Sequence, residues 1–230
     1  MQYSKIFTVL FCSSLFLCKA HSQSGTSPWS ASINVGAALP VGEFANKNLN
    51  DEKSGYGKPG EDVSIQANYQ FSDNFGATVL AGFRVNSYDV SPVNSSPTAE
   101  SNFSISDYKA GRILIGPTFT LPLRSGGKWN ITARVLAGVQ QLFPETIDET
   151  STGVATSEKL YFNLAFAYQT GVGLQYLVTK KCYLSLGGDF LGSTYKASKM
   201  KDDSGTQTVT GGIKGPFNTA NIQLGLGFRF

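Results

Sequence analysis

Six polar side chains stand out in this chain: Arg84, Arg112, Arg134, Tyr183, Asp189 and Arg229. Guanidinium groups are planar forks of donors that hold carboxylates or phosphates, so Asp189 is expected to balance one or two of the arginines. A tyrosine hydroxyl can join such a network as donor or acceptor. These residues therefore point to charge pairing or anion coordination rather than bond making. Catalysis lacks its usual parts. The one histidine of the chain is His21, and serines such as Ser185, Ser193 and Ser198 have no imidazole to activate them. No metal-ligating cluster, phosphate loop or nucleophile elbow is legible. Neither a cofactor nor an enzymatic activity is expected.

The elements that must position these groups announce themselves by a period of two. In the closing segment, Ala220, Ile222, Leu224, Leu226, Phe228 and Phe230 alternate with Thr219, Asn221, Gln223, Gly225, Gly227 and Arg229, which describes an extended strand with one apolar and one polar face. The same alternation marks seven earlier strands: Trp29–Leu39, about Glu61–Phe71, Phe75–Ser87, Tyr108–Leu121, Trp129–Gln141, Leu160–Leu177 and Cys182–Leu191. All six candidate residues fall on the polar face. Strands of about ten residues match the span of a tilted membrane strand, and eight of them make an all-β barrel of one domain's length. In a barrel that narrow the polar face fills the lumen, so a plug of polar side chains is expected, with a narrow arginine-lined channel as the alternative. A soluble barrel with its apolar face turned inward on a hydrophobic ligand has the same periodicity.

The first 22 residues read as a secretory leader. Lys5 precedes an apolar run from Ile6 to Leu17, and Ala20-His21-Ser22 offers small residues for cleavage before Gln23. The barrel domain is then residues 23–230. Loss of Lys5 and Lys19 with no acid lowers the formal charge from +3 to +1, which excludes general electrostatic binding of nucleic acid. Cys12 and Cys18 leave with the leader, so Cys182 is expected to stand alone and form no intramolecular disulfide.

The connections alternate in length. Ser72-Asp73-Asn74, Pro122–Lys128 and Val178–Lys181 are tight, whereas Pro40–Gly60, Tyr88–Asp107, Phe143–Lys159 and Gly192–Pro216 are long and polar. Outward aromatics (Trp29, Phe71, Phe75, Trp129, Tyr176, Phe228, Phe230) gather at the tight-turn ends, as an interfacial girdle does. With the LPVGEF stretch Leu39–Phe44 and the closing GLGFRF Gly225–Phe230, the chain resembles the small, porin-like or opacity-like outer-membrane β-barrel domain family of Gram-negative bacteria, in the form common in Bacteroidetes. The resemblance spans residues 29–230. It implies an eight-stranded antiparallel up-and-down transmembrane β-barrel in the cell outer membrane, with short periplasmic turns and long extracellular loops. Phe230 resembles the assembly signal read by the barrel-assembly machinery. Enzymes among outer-membrane barrels rely on a histidine, and His21 lies in the leader, so the resemblance implies a structural or adhesin-like surface role. The partners it implies are outer-membrane lipid and lipopolysaccharide. The last loop carries Lys196, Lys199, Lys201 and Lys214 against Asp202 and Asp203, and such lysines can meet lipopolysaccharide phosphates. No external protein partner is legible.

Overall fold

The computed structural model describes residues 28–51, 53–94, 101–123, 127–151, 154–202, 205–208 and 214–230; the leader and Asp203 lie outside them. Eight antiparallel strands follow one another around a closed barrel: β1 (Trp29–Pro40), β2 (Gly57–Gln70), β3 (Phe75–Tyr88), β4 (Tyr108–Pro122), β5 (Trp129–Leu142), β6 (Ala165–Leu177), β7 (Cys182–Asp202) and β8 (Thr219–Arg229). Each pairs with its chain neighbours, and β8 pairs with both β7 and β1 to close the wall. Closure leaves no strand edge in the membrane zone, where an unpaired backbone group would cost several kcal/mol.

The alternation resolves which face is which. Phe166, Leu224, Ile65 and Ile113 point outward and are 60–67% exposed, while Asp62, Ser64, Thr78, Arg84 and Gln223 on the opposite parity are buried. Apolar residues outside and polar ones inside is the arrangement that lipid demands. At the turn end the outward aromatics pair across strands: Trp29 with Tyr69, Phe75 with Phe119 and Trp129 with Tyr176, at ring centroid distances of 4.7–5.1 Å. They form the girdle.

The loop end departs from the sequence reading. The expected sixth strand, Leu160–Leu177, is broken at Asn163-Leu164, and the expected loop Phe143–Lys159 is a β-hairpin of Glu145–Ser151 and Val154–Phe162. Its second strand pairs with the upper part of β7, above the segment that β6 pairs with. Instead of ending at Leu191, β7 runs on to Asp202 and is 21 residues long. At about 3.3 Å per residue that is twice what a membrane span needs, so the strand stands well clear of the bilayer. Ser101–Ile105 adds a further strand to the hairpin, and Gly205–Thr208 and Lys214–Pro216 pair back onto β7. The loop end is therefore a raised sheet. Cys182, expected to stand alone, is disulfide-bonded in the structure. It shares the outward parity of Leu184 and Leu186 yet is 3% exposed.

Candidate functional site

The six candidate residues divide between two levels of the lumen. In the upper half, Arg112 on β4 forms a two-pronged pair with Asp62 on β2, Nη1 to Oδ2 at 2.7 Å and Nη2 to Oδ1 at 2.9 Å, and both side chains are buried. Gln223 on β8 donates to the same carboxylate at 2.7 Å. Arg134 on β5 donates to Asp189 on β7 at 3.1 Å and to Gln66 on β2 at 2.8 Å, and Asn221 on β8 donates to the other Asp189 oxygen at 2.9 Å. Two ion pairs, each with its own amide partners, thus lie side by side as a belt across five strands. The Arg112 guanidinium lies against Gly82, where any Cβ would fall 2.7 Å from its central carbon; a side chain there would displace the fork.

Arg84 on β3 lies beyond the belt, fully buried. It has no carboxylate partner among the described residues. One Nη donates to the Thr219 hydroxyl and the other to the Phe217 carbonyl at 3.0 Å, and the guanidinium carbon sits 3.9 Å from the Phe217 ring centroid. The ring face supplies part of the compensation that an acid would otherwise give.

Above Arg84 an aromatic lid closes the barrel. Phe44 and Phe217, both fully buried, meet at 4.4 Å between centroids, and Tyr108 packs edge-on against Phe44 at 5.2 Å. Ala110, Leu142, Leu160, Phe162 and Ala197 complete the cluster, drawn from β4, β5, the raised hairpin and β7. Phe44 belongs to a single 3-10 turn, Gly42–Ala45, that follows β1. Gly42 has φ +63 with open space around its missing Cβ, so it is the left-handed backbone, not crowding, that calls for glycine. That bend turns the chain inward and delivers Phe44. The loop is tied down by Asp89, which accepts from Lys47 at 2.5 Å and faces Lys58 at 3.2 Å. The hydrogen bond from Lys47 is the chief reason that the Asp89 carboxyl is held well below the usual carboxylate range.

One buried acid in the lid has no such partner among the described residues. Glu145, at the foot of the hairpin, is 5% exposed, its Oε1 is without a hydrogen bond, and burial pushes its carboxyl up to about 8. Tyr108, Tyr195 and Tyr88 lie close enough to be felt by it.

The lower half of the lumen is different. It is a cavity of about 1050 Å³ that runs from the turns around Asp73 and Lys180 up to Gln66, Arg134 and Gln223. Tyr183 and Arg229 sit here, away from the belt, with the guanidinium carbon 5.8 Å from the tyrosine ring centroid. The Tyr183 ring lies flat over Gly227, where a Cβ would come within 2.0 Å of it.

Of the sequence-predicted set, the structure joins Arg134 directly to Asp189 and places Arg112 at the same level, paired with Asp62. Arg84 and the Tyr183–Arg229 pair stand apart. Asp62 and Glu145 were missed. Asp62 carried a signal, because it occupies the lumen parity of β2 one step before Ser64, Gln66 and Asn68. Glu145 carried none, since its hairpin reads as loop.

The whole domain matches known proteins. The family model for the outer membrane protein beta-barrel domain matches residues 8–230. Among solved structures, the outer membrane protein OprG from Pseudomonas aeruginosa is similar at 11% identity and a TM-score of 0.57, with 91% of this chain and 99% of that one covered. A major outer membrane protein from Thermus thermophilus is similar at 16% identity and a TM-score of 0.52, covering 88% and 99%. The attachment invasion locus protein Ail of Yersinia pestis is similar at 15% identity and a TM-score of 0.42, covering 87% and 98%. No curated protein sequence matches.

Proposed function

Because the chain belongs to the outer membrane protein beta-barrel domain family, we propose that it is a non-enzymatic envelope barrel, closed to free diffusion, whose raised loop-end sheet is its working surface. The observation that carries this reading is the closure of the outer half of the lumen, by paired charges first and an aromatic lid above them. In this orientation the tight turns face the periplasm and the sheet faces the exterior. The leader exports the chain, and the terminal Phe230 marks it for the barrel-assembly machinery.

The sheet carries a feature suited to anionic partners. Lys196 on β7 and Lys214 stand directly opposite each other in antiparallel register, both exposed. Like charges so placed repel across the strand pair, and a phosphate between them would relieve that repulsion. Lipopolysaccharide phosphates are the nearest such groups to a protein emerging from that leaflet. A narrow channel is the second reading, favoured by the cavity that already opens the lower half of the path. Planar-bilayer recording on refolded protein separates the two: absence of steady current supports the closed barrel, and an ohmic anion current overturns it. A K196Q/K214Q variant is expected to bind lipopolysaccharide vesicles more weakly, and unchanged binding removes these lysines from the surface reading.

A further inference from the structure

The lower cavity has a mixed wall. Hydroxyl and amide side chains such as Ser32, Asn34, Thr132 and Ser185 line it beside the rings of Trp29, Tyr69 and Phe71, a combination that exchanges hydrogen bonds with sugar hydroxyls and packs against the apolar face of a sugar ring. Of the charged side chains on the wall, Arg134, Arg229, Lys180 and Lys181 are basic and Asp73 alone is acidic among the described residues. Asp189 and Asp62, the acids just above, are spent on Arg134 and Arg112. Arg229 makes no ion pair among the described residues; the Asn130 amide, turned to satisfy its neighbours, accepts from it at 3.2 Å. At the blind end, Gln66 and Gln223 border the cavity, and Gln66 Nε2 and Gln223 Oε1 lack protein partners.

From this arrangement we infer that the lower cavity is a binding site, entered from the turn side, for a small polyhydroxylated anion of the sugar-acid class. Its carboxylate meets Arg229 under the attraction of Lys180, and its hydroxyls meet the hydroxyl and amide side chains of the wall. A cavity of about 1050 Å³ accommodates one or two sugar rings. The positive potential is focused by low-dielectric barrel walls, which draws anions in from solution. This site goes beyond the surface reading and does not depend on the outer lid being closed.

The test uses the refolded barrel in lipid nanodiscs, with amide chemical shifts followed during titration. Glucuronate is expected to give saturable shifts at millimolar concentration, confined to residues bordering the cavity, and glucose to bind at least tenfold more weakly. N-acetylmuramate, a cell-wall sugar acid, is run beside glucuronate: tighter binding of the former assigns the site to glycan ends, and of the latter to free sugar acids. R229Q is expected to weaken binding at least tenfold. Equal binding of glucose, shifts that do not saturate, or an R229Q variant that binds as well as the parent overturns the proposal. Should R229Q fail to refold, K180Q on the exposed turn must weaken binding severalfold, and an unchanged affinity there overturns it equally.

Discussion

Because both oxygens of Asp62 are engaged by the Arg112 fork, and one of them also by Gln223, removing that carboxylate strands a buried guanidinium. The D62A variant is expected to lose about 3–5 kcal/mol of stability, the usual cost of breaking a buried pair by deleting one partner. Removing both charges is another matter, since a buried ion pair pays desolvation on each side; D62L/R112M is expected to recover most of the loss. Urea unfolding in lipid vesicles measures both, and a double variant no better than D62A defeats the argument. Glu145 poses the opposite case, an acid with no cation partner among the described residues. Its ordinary value is 4.5 and its folded value about 8, so the lid holds a proton that the unfolded chain has already released. Lid stability is therefore greatest below 4.5, falls as pH rises between the two values, and has lost this contribution above about 8. The carboxyl carbon resonance of Glu145 should titrate near 8, and the ring resonances of Tyr108 and Tyr195 should move with it in the parent but not in E145Q. Titration near 4.5 would remove the effect.

At the scale of elements, the lid is assembled from parts that are distant in sequence: the turn after β1, the hairpin between β5 and β6, and the segment before β8. Phe44 joins the turn after β1 to β4 and to the segment before β8, in ring contact with both Tyr108 and Phe217. F44A removes a fully buried aromatic, a change worth about 3–5 kcal/mol in a core, but here the loss falls on the lid and not on the strand ladder. The loops of F44A are expected to be cut by external protease at least tenfold faster, while F44A left unboiled still runs faster on a denaturing gel than the boiled protein. Loss of that mobility would mean that the lid and barrel fold as one unit. The lid also marks where sequence reading stopped. The barrel wall was legible because lipid on one side and a packed polar lumen on the other enforce strict alternation over all eight strands. Continued upward from β6, the same alternation would turn Leu160 and Phe162 outward. Instead the break at Asn163-Leu164 slips the phase by one residue, and both side chains enter the lid. Above the membrane no solvent boundary enforces the period, so the hairpin and the upper part of β7 read as polar loop. The belt was half legible for a related reason: parity shows that Arg112 and Asp189 face inward, but which acid reaches which arginine depends on barrel tilt and shear, which no single strand records.

Taken whole, the molecule is inverted relative to a water-soluble protein, and that inversion sets how it responds to charge. Ile115 sits midway along β4, paired with Val79 and Ala137, and is 60% exposed. On a soluble barrel an exposed position of this kind accepts arginine with a change within about 0.5 kcal/mol. In a bilayer the same substitution places a guanidinium near the midplane, and I115R is expected to cost about 2–4 kcal/mol. An exposed charge change at the raised sheet, such as Lys196→Gln, lies in water and should stay within about 0.5 kcal/mol. Comparing the two variants in vesicle unfolding therefore maps the membrane onto the barrel directly. A large loss for I115R with a small one for K196Q locates lipid around the waist of β4. Equal, small losses would put water there, and the apolar outer face would then need a protein partner to cover it.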